Sequence, residues 1–417
     1  MILSLGKISI PIKGIIEIVD NLVLLLAIYF FYCEFGMHNY YHGISSFPPI
    51  NGTYLLTAYI GGRITINPQL INSVFNKGLG IWLVLAFFLL LINYVVTQFL
   101  YAEVYQNAIN DIASTSLTSY FLIFDFIILL QLPGNLSLAK WVLPFAIVFA
   151  ALNNMYDITL FEDGYGFGYD FRAAGNYLNP NASAQFLLMG MVLTAHLVRP
   201  NFRFLYFLLA SIGVLLTLSR GAVPILVVLI ISFIFLKRIK WISVVYGVAF
   251  MALVGFSLWG SVRTSKPYAR MIEYLKYNNG IESRLEQILN PSSTKVGIRQ
   301  VVFEEHYRFY KKSPIIGNGL GSSKYFETHY SASGHSSHFM YLHMLNEYGI
   351  PGLLLFLGLP ISLFFLKSRW QFDIDILLFG LIVLIAGVQS HNLLDSYAML
   401  FSYAFISVYK ENTLKEI

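Results

Sequence analysis

The sequence predicts an all-α, polytopic transmembrane helix bundle of about 11–12 spans, with one long loop containing short helices on the outer side of the membrane. Three observations predict it. Of 417 residues, 57% are hydrophobic and only 12% charged, where a soluble globular chain carries about a quarter charged, and mean hydropathy is +0.64. The apolar residues come in continuous runs close to the roughly 20 residues that a spanning helix needs, without the alternating ten-residue segments of a membrane β-barrel. Aromatics make up 16% of the chain, including 35 Phe and 28 Tyr, which suits lipid-facing helices with interfacial belts.

Eleven apolar runs follow in order: 14–35, 79–100, 117–132, 136–151, 182–197, 202–218, 223–236, 241–259, 352–366, 374–388 and 394–409. The first, behind Lys7 and Lys13, has the look of a signal peptide, but no small-residue cleavage site follows, so it is read as a retained span. Lys and Arg in short loops orient the rest. Arg199 with Arg203, Lys237-Arg238-Ile239-Lys240, Lys367 with Arg369, and Lys410 with Lys415 share one side if the spans alternate, and that side is the cytoplasm. The opposite side receives 101–116, 153–181, 260–337 and 389–395. Parity fails at the start. Lys7 and Lys13 argue for an inside N-terminus, while Arg63 and Lys77 put the segment before Leu79 inside as well. A weak extra span or re-entrant segment between about Tyr40 and Gly61 resolves this and gives about twelve spans.

The organisation expected is one integrated membrane domain in three parts: an N-terminal transmembrane bundle (1–259), an outer loop (260–337) and C-terminal transmembrane helices (338–417). The loop carries eleven Lys or Arg against six Glu, which the positive-inside rule tolerates because long loops are exempt. It reads either as a solvated loop with ordinary charges or as a funnel for an anionic substrate at the membrane surface. Within it 283–289 and 301–310 look helical, the second lying at the interface with Phe303, Tyr307 and Tyr310 toward lipid.

Some classes are excluded early. Cys33 is the single cysteine, so there is no intrachain disulfide and no Cys-based zinc site. The net charge of +5 would suggest nucleic acid in a soluble chain, but here the cations sit at helix ends and in one loop, so no nucleic-acid partner is expected.

Three arginines fall at outer positions beside bilayer-depth segments. Arg220, in Thr217-Leu-Ser-Arg-Gly-Ala222, ends one span, and a guanidinium there must snorkel or meet an anion. Arg172 precedes Gly175-Asn-Tyr-Leu-Asn-Pro-Asn181, whose Asn-Pro-Asn breaks the chain and can cap the span after it. It reads as a plain turn and cap, or as an anion site at a helix N-terminus. Arg299 opens the second loop helix, ahead of Ser313-Pro-Ile-Ile-Gly-Asn-Gly-Leu-Gly321. That glycine-rich stretch is no P-loop, since no Gly-Lys-Ser/Thr follows. Planar guanidinium forks suit phosphate oxygens. His338, in Gly334-His-Ser-Ser-His-Phe-Met-Tyr-Leu-His-Met-Leu-Asn-Glu-Tyr-Gly-Ile-Pro-Gly352, recurs at helical spacing with Leu342, Leu345 and Gly349, beside Glu347. It reads as a hydrogen-bonded structural histidine or as a proton acceptor near neutral pH, with His335 and His343 as competitors. A metal held by His335, His338 and His391 lacks a carboxylate motif, so no metal is expected.

Taken together, in this order, these residues resemble the O-antigen polymerase and O-antigen ligase superfamily, membrane glycosyltransferases of the GT-C type, over roughly 172–352. One departure is Phe339, where the family often has Asn after the histidine. The resemblance implies transfer of a glycan from undecaprenyl pyrophosphate to an acceptor hydroxyl, with no cofactor. Arg220, Arg299 and Arg172 would stabilise the pyrophosphate as its charge grows, His338 would take the proton, and His335, Asn181 and Glu347 would support them. In-line attack implies inversion. The implied setting is the bacterial inner membrane with the active site facing the periplasm, and the partners are the undecaprenyl-pyrophosphate-linked glycan, the lipid membrane and a chain-length regulator protein. A polymerase, transferring to another lipid-linked repeat, is favoured by the Ser-Arg-Gly-Ala end and Gly-Ile-Pro-Gly. A ligase, transferring to lipid A-core, shares the same parts. A glycolipid flippase would place its arginines midway along helices around a cavity.

Overall fold

A computed structural model describes residues 2–5, 8–159, 172–177, 179–219, 221–263, 298–329, 339–366, 369–390 and 393–413. They form an all-α polytopic bundle. The helices are α1 (Ile12–Ala27, continued by a π-turn Ile28–Tyr32), α2 (Phe35–Tyr41), α3 (Pro49–Ile66), α4 (Gln69–Phe75), α5 (Gly78–Gln131), α6 (Asn135–Thr159), α7 (Pro180–Thr194), α8 (Pro200–Leu216), α9 (Ala222–Phe235), α10 (Trp241–Arg263), α11 (Ile298–Tyr310), α12 (Ser322–His329), α13 (Met340–Ser362), α14 (Ile374–Ala386) and α15 (Tyr397–Thr413). Two small antiparallel ribbons, β1 (Ile2–Leu5) with β2 (Ile8–Pro11) and β3 (Phe365–Leu366) with β4 (Arg369–Trp370), are the only strands among the described residues.

Five segments are long and apolar enough to cross a bilayer: Gly14–Tyr32, Gly78–Leu100, Gln106–Gln131, Asn135–Asp157 and Met340–Ser362. Shorter apolar helices occupy Pro200–Leu216, Ala222–Phe235, Trp241–Phe250 and Ile374–Ala386. Each apolar run of the sequence falls on a helix. The largest difference is α13, which begins at Met340 and not near residue 352. His343, Asn346 and Glu347 dilute the apolar signal of its first turns, although Asn346 and Glu347 are fully buried.

The chain divides into two compact units, 1–143 with 302–417, and 144–301. In the first, α1 and α3 run antiparallel. Arg63, near the end of α3, pairs with Asp20 of α1 (Nη2 to Oδ2, 3.1 Å), Tyr59 donates to the same carboxylate, and Phe30 at the far end of α1 lies against Gly52 at the start of α3. Eighteen residues rise about 27 Å, close to the hydrocarbon thickness of roughly 30 Å. This helix occupies the place of the weak extra span expected between Tyr40 and Gly61.

Helix α5 is two spans. On one straight helix Trp82 and Tyr120 would stand about 57 Å apart, yet their ring centroids are 5.9 Å apart, and Tyr94 Oη donates to Asn110 Oδ1 at 3.3 Å. The halves Gly78–Leu100 and Gln106–Gln131 therefore pack side by side and antiparallel, as the two separate runs 79–100 and 117–132 require. Helix α13 runs antiparallel to the first half: Trp82 Nε1 donates to Leu355 O (2.8 Å) and Asn93 Nδ2 to Glu347 O (3.0 Å). Pro351 has no N–H, so Glu347 O loses its usual helical partner, and the Asn93 amide satisfies it. At one end of this unit Lys77 meets Glu411, Lys410 meets Asp373 and Asp375 at 2.9 and 2.7 Å, and Lys140 lies over the Tyr409 ring. At the other, Met340 N donates to Gly387 O (2.7 Å), which joins the start of α13 to the end of α14.

The second unit packs α7 to α10 with the rest of α6. Gly213 of α8 lets Ala151 of α6 and Leu187 of α7 approach so closely that a Cβ would meet both at 2.9 Å. Phe207 of α8 and Phe233 of α9 meet with tilted rings, centroids 4.8 Å apart.

Candidate functional site

In the second unit one polar turn collects pieces far apart in sequence. Helix α6 ends in Asn153-Asn154-Met-Tyr-Asp157, and the two ends of this motif hold the segment after Arg172. Asp157 Oδ2 accepts from Ala174 N (2.8 Å) and Gly175 N (2.9 Å), and Asn153 donates to Asn176 Oδ1 at 3.0 Å. Gly175 has φ +58°, and a Cβ there would lie 2.6 Å from Asn154 Oδ1, so only glycine fits. Asn154, fully buried, donates to Ser183 Oγ (2.9 Å) and Gly213 O (3.1 Å), tying α6 to α7 and α8.

Onto this turn the Arg172 fork is fixed. Its Nε donates to Thr217 O (2.9 Å) and its Nη2 to Asn181 Oδ1 (2.8 Å), while Ala173 N donates to Leu216 O (3.1 Å). One guanidinium thus joins the start of α7 to the end of α8. Asn179 caps α7 through its side chain, which accepts from Asn181 N at 2.8 Å. At the end of α8 the backbone turns through a left-handed Leu218 (φ +49°), and Thr217 Oγ1 accepts from Ser219 N (3.3 Å). Arg172, Asn181 and the segment that leads into position 220 are therefore one assembly. Asn154 and Asp157 were not picked out by sequence reasoning, although an Asn-Asn-x-x-Asp cluster closing an apolar run was the available signal.

Of the other expected site residues, Arg220, His335 and His338 lie outside the described residues, and Arg299 is described only as a backbone position in the first turn of α11. Glu347 is in the first unit, fully buried on α13. His343 Nε2 stands 3.9 Å from its Oε2, and a small cavity beside it is lined by polar groups such as Ser116, His343 and Asp395 together with the apolar Met340, Met344 and Leu394. The amides of Gly321 and Ser323 face the carboxylate from the start of α12 without closing a hydrogen bond of ordinary geometry.

The glycine-rich stretch 317–321 packs on this same element. A Cβ at Gly317 (φ +77°) would meet Glu347 O at 2.6 Å, one at Gly319 would meet Thr97 Oγ1 at 2.8 Å, and one at Gly321 would meet Ala108 C at 2.6 Å. Asn318 N donates to Asn346 O (2.6 Å) and Ile350 N to Ile315 O (3.0 Å), and Leu320 N donates to Asn93 Oδ1 and Thr97 Oγ1, both at 3.0 Å. The glycines let this loop thread between α13 and α5.

Among known proteins, no curated protein matches the chain. A family does. Arg172 and Asn181 precede the matched stretch, while the Ser219–Ala222 span end, Arg299, the glycine loop, His338 and Glu347 fall inside it. The family model of the O-antigen ligases matches residues 205–357, which makes that part of this multi-pass membrane protein similar to the O-antigen polymerase and ligase superfamily that its motifs resemble.

Proposed function

We propose that the chain is an O-antigen polymerase-type glycosyltransferase of the bacterial inner membrane, transferring a glycan from undecaprenyl pyrophosphate to a sugar hydroxyl of another lipid-linked repeat at the periplasmic face. The observation that carries this reading is the Arg172 fork, which ties Asn181 at the start of α7 to Thr217 at the end of α8 and so builds one rigid platform for the segment bearing Arg220. The family match over 205–357 supports it.

In the proposed step the acceptor oxygen attacks the anomeric carbon from the face opposite the pyrophosphate. The bond from that carbon to the pyrophosphate oxygen breaks, and the anomeric configuration inverts. His338 takes the proton of the attacking hydroxyl. The charge released onto the leaving pyrophosphate is met by Arg220 and Arg299, fixed cations at the bilayer edge, and Arg172 holds the first of these segments in place. The proposed organisation is a bundle over 1–259, a periplasmic loop over 260–337 and the helices of 338–417. No metal takes part in this reading, and a chain-length regulator protein is the expected protein partner.

The second reading is transfer to lipid A-core, and the specific observation in its favour is that the matching family is described by its ligases. The lipopolysaccharide of a deletion strain separates the two on a gel. A lost polymerase leaves core plus one repeat, and a lost ligase leaves core alone while lipid-linked polymer accumulates. Normal lipopolysaccharide and normal surface polymer would reject both.

A further inference from the structure

The loop that joins α11 to α12 is fixed against two candidate spans, and the points of attachment give its depth. Leu320 N donates to Asn93 Oδ1 and Thr97 Oγ1 in the first half of α5, and Asn93 lies about 10 Å along the helix from Leu100, where that span ends. Ile350 N of α13 donates to Ile315 O at 3.0 Å, and Ile350 lies about 15 Å along the helix from Met340, where α13 starts. The hydrocarbon slab is roughly 30 Å thick. Residues 315–320 therefore descend well into it from the end of the unit where α13 begins, and Gly321, packed on Ala108, returns the chain to the α5 reversal.

Irregular backbone is tolerated at that depth only where its polar groups find protein partners, and here they do. Gly317 N donates to Ser313 O (3.0 Å) and Asn318 Nδ2 to Phe309 O (3.2 Å). Helix α13 is interrupted at Gly349 (φ +63°, ψ −150°), and its two groups that flank the break serve the loop: Asn346 O accepts from Asn318 N (2.6 Å), and Ile350 N donates to Ile315 O. The side chains at the tip, by contrast, are uncovered. Ile315 and Ile316 are 67% and 66% exposed, Ile350 and Leu354 are exposed on α13, and Val95, Val96, Phe99 and Leu100 are exposed on α5. Just ahead of the tip, Lys311 and Lys312 are exposed, their ammonium groups 4.7 and 5.5 Å from the Tyr307 and Phe309 ring centroids.

We propose that residues 311–321 form a re-entrant loop, with Ile315 and Ile316 seated among lipid acyl chains in the leaflet on the side where α13 begins, and Lys311 and Lys312 reaching back to the lipid phosphates. Acyl chains are the occupant because the two isoleucines share their depth with the exposed apolar residues of two membrane spans and adjoin Ile350 on one of them. The loop holds α11 and α12, which lie outside the spans, at a fixed height on the bilayer. This goes beyond the transferase reading and requires only that α5 and α13 cross the membrane.

Nitroxide labels on the full-length chain test this, in a Cys33→Ser background and in vesicles of phosphatidylethanolamine and phosphatidylglycerol. A label on Ile316→Cys is expected to collide more with oxygen, which dissolves in the acyl region, than with a water-soluble nickel complex, as a label on Leu354→Cys does. One on Asn110→Cys, exposed at the α5 reversal, is expected to show the opposite preference. Nickel-dominated collisions at position 316 would put the tip in water and overturn the proposal. Few collisions with either reagent would mean that another protein surface covers the isoleucines, and would overturn lipid as the occupant. A second variant gives an independent measurement. Ile316→Asp is expected to lower the melting temperature of the protein in vesicles, because a carboxylate at bilayer depth is costly, while Ile316→Leu leaves it unchanged. An aspartate variant that melts like the wild type would reject the acyl environment.

Discussion

Arg172 is held by geometry that only a fork supplies. Its two bonds reach Thr217 O and Asn181 Oδ1, acceptors on different helices, and a lysine ammonium on a flexible stem cannot reproduce both directions at once. Arg172→Lys should therefore behave almost like Arg172→Ala, each lowering transfer from a purified undecaprenyl-pyrophosphate donor by about tenfold or more, since a hydrogen bond to a charged group contributes about 1.5–3 kcal/mol. Lysine turnover close to wild type would mean that Arg172 contributes charge and not position. His338→Ala should abolish transfer with insertion unchanged, while His335→Ala and His343→Ala keep substantial activity, and normal polymer from His338→Ala would remove the proposed base. A third residue gives a pH signature. Burial pushes the Glu327 carboxyl up from 4.5 to about 7, with the Lys324 ammonium pulling it back. Between those values the folded chain holds a proton that the unfolded chain has released, so this group makes stability fall as pH rises from about 4.5 to about 7. Melting curves of the solubilised protein across that range should show the decline, and Glu327→Gln should reduce it. An unchanged slope in the glutamine variant would exclude Glu327 as its source.

Elements differ in how much of them the sequence betrays. The apolar runs of α6 to α9 and α14 are legible because each is nearly unbroken in apolar residues, both those buried in the bundle and those exposed, such as Val227, Val228 and Ile231 of α9. The first half of α13 is not, because His343, Asn346 and Glu347 lie among its apolar residues, and the buried Asn346 amide finds its partner only in the fold, at His306 Nδ1 of α11 (3.3 Å). The same holds for the site. Arg172 and Asn181 stand out by residue type, but Asn154 and Asp157, which hold the turn, look like an ordinary helix end until Gly175 is seen to need the space beside Asn154. The glycine stretch 317–321 shows the converse, a visible motif with a packing role. Gly317 is left-handed and sits 2.6 Å, at the Cβ position, from Glu347 O. Gly317→Ala should cost about 1–3 kcal/mol from the backbone alone, with the clash in addition. A melting temperature lower than that of Gly43→Ala, which shares the left-handed backbone (φ +68°) but sits in open space, is the expected result by fluorescence-detected gel filtration in detergent. Equal melting of the two variants would show that the loop yields easily.

For the whole molecule the decisive element is α3, because an even or odd number of crossings hangs on it. The sequence alone placed positive charge before and after the first apolar run on the same side, and one clear span cannot do that. Helix α3 runs back along α1, since Arg63 near its end pairs with Asp20 while Gly52 at its start sits on Phe30, and the expectation to test is that it crosses the membrane. Within the first unit every later crossing agrees. Lys77, Lys140 and Lys410 gather at one end, and the reversal within α5 and the start of α13 lie at the other. The positive-inside rule makes the lysine end cytoplasmic, so Asn67, just after α3, should be inside and Asn110, just past the α5 reversal, outside. Single cysteines at these two positions in a Cys33→Ser background give the measurement, because both positions are exposed. Asn110→Cys should react with a membrane-impermeant maleimide in cells with only the outer membrane opened, and Asn67→Cys should react only after the inner membrane is permeabilised. If α3 were a re-entrant loop, Asn67→Cys would react together with Asn110→Cys, and the twelve-span topology would fail. If the two labelled in the opposite order, the ends would be reversed, and a site at the start of α13 would face the cytoplasm, where a periplasmic polymer cannot be built.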